Sequence, residues 1–185
     1  YRTINTIKNL IGQLTRNRIL KITVISSLLS LIIFYVINSN DQDLQPIYMD
    51  SFVLDDLDGQ PLDILDLHNQ EPLIINFWAT WCAPCRKEMP LLNNYYLTKN
   101  ADQANVLGIA IDEIDQVNSF VAELGIDFPV LVGQSEAYEL MQTLGNSILT
   151  LPYTILVNNE GRIIWSKSTE IKREDLEQLQ YLPNK

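Results

Sequence analysis

Apolar and polar positions alternate along this chain in blocks that predict strands and helices in turn. Strongly apolar runs at Leu73–Trp78 and Asn105–Ile111 are typical of buried strands. Apolar residues recur at helical spacing in Pro84–Lys99 and again in Ile114–Leu124, which Gly125 is expected to end. Strands that alternate with helices in this order predict an α/β sandwich.

Two predicted hairpins flank this alternating region. The first spans Phe52–Asp63 with Asp58 and Gly59 at its turn, and the second runs from Tyr153 to Ser166 around residues 158–161. An antiparallel pair added to helix-linked strands predicts a mixed sheet. The remaining predicted elements are a strand at Phe128–Val132 and helices at Ser135–Leu144 and Lys172–Leu182.

An apolar segment near the start of the chain, residues 19–37, is close to the roughly 20 residues that span a bilayer. Lys21 is its one charged residue and can extend towards the membrane surface. We predict an uncleaved single-pass anchor in the cytoplasmic membrane. A cleaved signal peptide is the main alternative, although no Ala-x-Ala pattern follows the segment, and a buried core helix is a further one.

Charge is divided unevenly along the chain and predicts which side of the membrane the body occupies. The formal net charge is -10, yet residues 1–40 carry five cations and no acid. The positive-inside rule therefore predicts a basic cytoplasmic segment at 1–18, the anchor at 19–37, a tether at 38–50 and an extracytoplasmic domain at 51–185. The acidic body argues against nucleic acid as a partner, because phosphate binding needs clustered cations.

The two cysteines of the chain, Cys82 and Cys85, stand in the sequence Trp81–Cys85 (WCAPC), where a predicted strand meets a predicted helix. The start of a helix presents unpaired N–H groups and a positive dipole end that favour a thiolate, so this spacing predicts reversible thiol–disulfide chemistry. A structural disulfide and a metal site are the alternatives. A zinc site needs about four ligands, and here His68 is the one histidine to join the cysteines, so we expect neither a metal nor another cofactor.

A proline stands just before the late hairpin, in Leu151-Pro152-Tyr153. Proline lacks the N–H that a sheet ladder needs, so its place before a central strand is unusual. A cis Leu151–Pro152 bond in a tight turn would account for it.

These motifs together resemble the thioredoxin fold, and more narrowly the membrane-tethered thiol-disulfide reductases of the TlpA/ResA type. The resemblance covers roughly residues 45–182. It implies a thioredoxin-like fold: a mixed central β-sheet flanked by helices, with an N-terminal β-hairpin extension after the membrane helix. The segments that carry it are Phe52–Asp63, Asn76–Cys85, Ile109–Glu113 and Leu151–Val157.

The resemblance also implies roles for individual residues. Cys82 would be the attacking thiol, and Cys85 would resolve the mixed disulfide. Glu113, in the acidic loop after the second buried strand, would be the proton acceptor; Asp112 and Asp115 are its neighbours. The residues implied to contact the substrate are Trp81, Leu151 and Pro152.

The direction of reaction is predicted from the dipeptide between the cysteines, Ala83-Pro84, which has no basic residue to stabilise a thiolate further. A less stabilised thiolate favours a reductase over an oxidant. The resemblance implies disulfide-containing client proteins, such as apocytochrome c, and a membrane thiol electron donor.

Two other functions on the same fold remain as alternatives. A peroxiredoxin-type peroxidase would need a Pro-x-x-x-Thr/Ser-x-x-Cys sequence, which the residues before Cys82 do not provide. A copper chaperone would need a histidine downstream of the cysteines, whereas His68 lies upstream and is predicted to be a surface or turn residue.

Overall fold

The computed structural model describes residues 25–34 and 46–179, which fall in two compact units, Tyr1–Gln45 and Pro46–Lys185. In the first unit, residues 25–34 form a helix, α1, whose side chains are exposed. The predicted anchor at 19–37 lies partly outside the described residues. Within residues 25–34 and 46–179, no helix has both the length and the apolar character needed to cross a membrane.

Seven strands of the second unit form one mixed sheet in the order β2-β1-β5-β4-β3-β6-β7. β3 pairs with β4 and β4 with β5 in parallel, whereas the outer strands pair antiparallel. The predicted mixed sheet is therefore confirmed. The strands are β1 (Val53–Asp56), β2 (Pro61–Asp63), β3 (Leu73–Trp78), β4 (Asn105–Ile111), β5 (Val130–Gly133), β6 (Tyr153–Val157) and β7 (Ile163–Lys167).

Helices cover both faces of this sheet, which explains why its central strands are almost entirely apolar. In β3, Ile74 and Trp78 face one hydrophobic core, while Ile75 and Phe77 face the other. The first core is closed by α3 (Ala83–Thr98), α4 (Ile114–Leu124) and α6 (Arg173–Leu179), and the second by α2 (Ile64–His68) and α5 (Ser135–Thr143).

The predicted first hairpin is confirmed, and it extends the sheet at an edge that the sequence did not specify. Leu54 pairs with Leu62 across the hairpin, and Asp55 pairs with Val132 of β5. The short helix α2 was not predicted. It ends at His68, which is buried and donates from Nε2 to the carbonyl of Asn158 at 2.7 Å, so the prediction of a surface or turn position for this histidine is wrong.

Part of the predicted tether packs onto the domain. The N–H of Met49 donates to the carbonyl of Gly161 at 2.8 Å, and its side chain is buried. Tyr48 forms an isolated bridge with Arg162. The compact unit therefore begins at Pro46, inside the stretch 38–50.

Strand register determines which segments meet at the carboxyl end of β3. Phe77 pairs with Tyr153, so Pro152 lies beside the residue that ends β3. Trp78 pairs with Ala110 of β4, which brings the residues after Ile111 to the same edge. The cysteine motif, the proline turn and the acidic loop all leave the sheet at this edge.

Candidate active site

Cys82 occupies the N-cap position of α3, where its sulfur accepts a hydrogen bond from the backbone N–H of Cys85 at 3.3 Å. The two cysteines form a disulfide with their Cα atoms 5.3 Å apart. Pro84 lies in the first turn, where its missing N–H costs no helical hydrogen bond. A thiolate at Cys82 would therefore face unpaired N–H groups and the positive end of a helix of 16 residues.

The two cysteines differ in accessibility. Cys82 is 5% exposed and Cys85 is fully buried. A surface depression of about 430 Å³ is lined by Cys82 but not by Cys85. An incoming disulfide can therefore reach Cys82 first.

The Leu151–Pro152 peptide bond is cis, as predicted from the sequence. Pro152 is buried and Leu151 is half-buried. Leu151 lines the same depression as Cys82 and Trp81. Three of the predicted site residues thus lie around one opening, and Trp81 is 64% exposed at its rim.

The backbone that carries Trp81 and Cys82 is held in place through Thr80. The Asp112 carboxylate accepts from the N–H of Thr80 at 2.9 Å and from its hydroxyl at 2.5 Å. Arg86 donates to the carbonyl of Thr80 at 3.3 Å, and its guanidinium stacks over the Phe120 ring at 4.7 Å. All polar backbone groups of this one residue are thereby fixed beside the cysteine pair.

Glu113 is not brought to the cysteine pair. Its carboxylate is exposed and accepts from the side chain of Gln134 at 2.8 Å. It lines a separate depression with Asp55 and Glu136. The preceding residue, Asp112, is the acid of this loop that reaches the cysteine-bearing segment.

A buried acid that the sequence analysis missed is Glu88, in the turn of α3 that follows Cys85. Its carboxylate accepts from the amide of Asn76 at 2.7 Å and from the N–H of Ile171 at 2.6 Å. Asn76 also donates to the hydroxyl of Thr154 at 2.9 Å. The spacing between Cys85 and Glu88 could have indicated this acid, because residues three apart on a helix lie on the same face.

Burial raises the pKa of Glu88 from 4.5 to about 7, since the desolvated carboxylate is costly to ionise. The hydrogen bonds from Ile171 and Asn76 oppose this rise, while the nearby charge of Glu170 adds to it and that of Lys167 reduces it. A carboxyl group with this pKa can exchange a proton near neutral pH.

No metal-binding cluster is present in the part of the chain that the structure describes. No group of three or more His, Cys, Asp or Glu side chains there is placed to hold an ion. His68 is held by Asn158, and both cysteines are consumed in the disulfide.

Comparison with known proteins assigns the chain to a family. Residues 48–166 match the AhpC/TSA family. The thiol-disulfide oxidoreductase ResA of Bacillus thuringiensis subsp. konkukian is 32% identical over 129 residues, which cover 69% of this chain and 72% of that protein. The chain belongs to the AhpC/TSA family and is a thiol-disulfide oxidoreductase of the ResA type.

Solved structures agree with this assignment of a ResA-type chain. A thioredoxin-related protein from Neisseria meningitidis serogroup B is 28% identical, with a TM-score of 0.61, over 69% of this chain and 95% of that one. A thiol:disulfide interchange protein from Chlorobium tepidum TLS shares the fold with a TM-score of 0.65 at 24% identity, over 75% of this chain and 96% of that one. The fold is therefore thioredoxin-like, as the resemblance implied.

In a thiol-disulfide oxidoreductase of the ResA type, the Cys82–Cys85 disulfide is the redox-active group. Enzymes of this class exchange thiols and disulfides through attack of a thiolate on a sulfur–sulfur bond. Disulfide-containing proteins are their general class of client. The structure described here is the oxidised state of that cycle.

Proposed function

We propose that this protein is an extracytoplasmic, membrane-anchored reductase of protein disulfides. The observation that supports this most directly is the position of Cys82, which caps α3 and lines an open depression beside the cis Pro152 turn. A sulfur in that position combines thiolate stabilisation with access for a client.

The exchange has two steps. The Cys82 thiolate attacks one sulfur of a client disulfide, forming a mixed disulfide and releasing the other client sulfur as a thiolate. Cys85 then loses its proton and attacks the Cys82 sulfur, which releases the second client sulfur and closes the Cys82–Cys85 bond. The client gains two electrons. A membrane thiol donor then supplies two more, which reduce the Cys82–Cys85 disulfide again.

Glu88 is the group that we propose accepts the proton from Cys85. It follows Cys85 by three residues on α3, and its raised pKa, about 7, suits proton exchange near neutral pH. Asn76 and Ile171 hold its two carboxylate oxygens in place. Glu113 keeps the role predicted for it only as a hypothesis, because its carboxylate bonds to Gln134.

Client binding is proposed to use the opening around Cys82. Trp81 would contact the client beside the exchanging sulfurs. The backbone of Leu151, which precedes the buried Pro152, would pair with an extended client segment as an added strand.

Reduction is the proposed direction because the dipeptide Ala83-Pro84 offers no charge to stabilise the Cys82 thiolate beyond what the helix supplies. Apocytochrome c is the client that the TlpA/ResA resemblance suggests.

The proposed location rests on the first 40 residues. Four of their five cations precede the apolar stretch 19–37 and the fifth, Lys21, lies near its start, so the positive-inside rule directs the rest of the chain outward. A thiol-disulfide isomerase from Corynebacterium glutamicum with the same fold is described as secreted. We therefore place the domain from Pro46 onward outside the cytoplasm.

A trapping variant tests the proposal. Cys85→Ser removes the resolving thiol, so Cys82 should remain in stable mixed disulfides with client proteins. These adducts would be identified by mass spectrometry after acid quenching. The control is Cys82→Ser, which leaves Cys85 buried and should yield none. Absence of adducts from Cys85→Ser in growing cells, or equal adducts from both variants, would contradict the proposal.

A further inference from the structure

Exposed apolar side chains lie at the opening beside Cys82. Trp81 and Leu149 line it, and Ile148 directly precedes Leu149 in the chain. Trp81 is 64% exposed, Ile148 is 72% exposed and Leu149 is 41% exposed. Large apolar side chains concentrated beside a reactive sulfur indicate a surface that another molecule covers. We call the depression lined by Trp81–Pro84, Tyr138 and Leu149–Leu151 the apolar cleft.

The lining of the apolar cleft carries no charged side chain. On the other side of Trp81, a separate depression is lined by Arg86, Asp115 and Glu123. A client side chain that enters the cleft therefore meets apolar carbon and the hydroxyls of Tyr138 and Thr150, with no ionic partner. The volume of the cleft, about 430 Å³, accommodates a large side chain.

Leu149 occupies its place in the cleft at a backbone cost. Its φ of 54° lies in the left-handed region, which is strained for a residue that carries a Cβ. The loop is held there by the buried Asn146, whose carbonyl accepts from the N–H of Leu149 at 3.2 Å and whose side chain donates to the carbonyl of Thr150 at 2.8 Å. Strain that presents an exposed leucine to solvent is characteristic of a functional surface.

We propose that Ile148 and Leu149 select clients that carry a large aliphatic or aromatic residue next to the reacting cysteine. This inference rests on the proposed function and refines its client class. The client chain must pass Cys82 to present its sulfur, and the side chain beside that sulfur then enters the apolar cleft. The partner is an extended segment of an unfolded protein, in which such residues are accessible.

Short peptides test this selection. Each contains one cysteine in a mixed disulfide with glutathione, and the residues on both sides of the cysteine are either leucine or serine. The reduced full chain in detergent converts peptide–S–S–glutathione into the peptide thiol and glutathione and is itself oxidised to the Cys82–Cys85 disulfide. In this single-turnover reaction, we expect the second-order rate constant to be about ten-fold higher for the leucine peptide than for the serine peptide.

The variant Leu149→Gly separates recognition from folding. Glycine accepts a φ of 54° without strain, so the thermal midpoint should not fall, while the preference for the leucine peptide should decrease to about two-fold or less. Ile148→Ser should also reduce the preference. Leu97→Ser is the matched control, because Leu97 is 61% exposed in the last turn of the same helix that begins at the cysteine pair, and it should keep the full preference.

Oxidised glutathione alone distinguishes this inference from the proposed function. If it and both peptides fail to oxidise the reduced protein, the proposed reductase function is wrong. If all are reduced but leucine and serine peptides react equally, only the selection proposed for the cleft is wrong. Retention of the leucine preference in Leu149→Gly would also overturn the proposed selection. So would a concentration-dependent dimer that disappears in Ile148→Ser, because the surface would then belong to a contact with a second copy of this chain.

Discussion

At the scale of single residues, the buried carboxylate of Glu88 makes stability depend on pH in an unusual direction. Its pKa is raised to about 7 in the folded protein and is about 4.5 when the chain is unfolded. Between these values the folded state holds a proton that the unfolded state has lost. The free energy of unfolding should therefore fall as pH rises from 4.5 to 7 and then stay constant.

The variant Glu88→Gln should abolish this slope, because a neutral side chain cannot ionise. The shift corresponds to an effect on the order of 3 kcal/mol on the unfolding free energy of the parent above pH 7, whereas that of the variant should stay constant across the range. Because glutamine has one acceptor oxygen where Glu88 uses two, the variant also loses one of the hydrogen bonds from Asn76 and Ile171. Urea unfolding of the oxidised protein across this pH range measures the slope. Glu174→Gln, which removes an exposed carboxylate from α6, serves as control and should keep the parent slope. An unchanged slope in Glu88→Gln would contradict the assignment.

Thr80 and Asp112 form a second residue-level unit, which holds the loop before the cysteines. We expect Thr80→Val, which removes the hydroxyl bond alone, to cost about 1 kcal/mol of unfolding free energy, and Asp112→Ala to cost more because the backbone N–H of Thr80 also loses its acceptor. Both should slow mixed-disulfide formation at Cys82. Thr80→Ser retains the hydroxyl and should behave as the parent. Equal stability and rate in Thr80→Val and Thr80→Ser would show that the contact does not position the loop.

At the scale of elements, the sequence predicted most strands and helices but not how their ends meet. The apolar run of β3 and the spacing of Cys82 and Cys85 were sufficient for the fold, because burial on both sheet faces leaves an unmistakable pattern. The helix α2 was missed since its five residues are too few to show a helical period.

The acid proposed to accept the proton from Cys85 could not be chosen from the sequence for a related reason. Asp112 and Glu113 are adjacent residues beyond the end of β4, where the alternation of the strand no longer determines which way each side chain points. Only Asp112 bonds to Thr80, whereas Glu113 bonds to Gln134. Glu88 occupies what looks like a polar helix position. Its burial depends on Ile171, which lies far along the chain and donates to it, and that is a long-range contact that local patterns do not record.

Gly108 is the point where strand β4 passes closest to its neighbours. A Cβ added there would lie 2.9 Å from the Phe128 ring and 3.0 Å from the Trp78 nitrogen. Gly108→Ala should therefore destabilise the protein by about 1–3 kcal/mol. Phe128→Leu should relieve part of this cost, so the double variant should be less destabilised than the two single effects added. Strict additivity in urea unfolding would show that the Phe128 contact is not the cause.

At the scale of the whole molecule, the proposed membrane orientation puts both cysteines outside the cytoplasm. In the Cys85→Ser variant Cys82 is the single cysteine, so in intact cells a membrane-impermeant maleimide should label it before lysis, once dithiothreitol has released any client adduct and been washed out. A variant that lacks both cysteines gives the background. Labelling that occurs only after lysis would contradict the proposed orientation.

The acidic charge and the apolar cleft would affect client binding over different distances. The net charge of -10 acts over long distances and disfavours polyanions. The cleft acts on the one side chain beside the exchanging sulfur. Both are consistent with unfolded polypeptide clients that present a disulfide.

The reduction potential of the Cys82–Cys85 pair tests the central claim, that the protein is a reductase, most directly. The full chain would be equilibrated with a series of glutathione redox buffers, and its thiols counted after alkylation. With only Ala83 and Pro84 between the cysteines, the account predicts a potential near the ~-270 mV of thioredoxin. A value near the ~-120 mV of a strong periplasmic oxidant would contradict it.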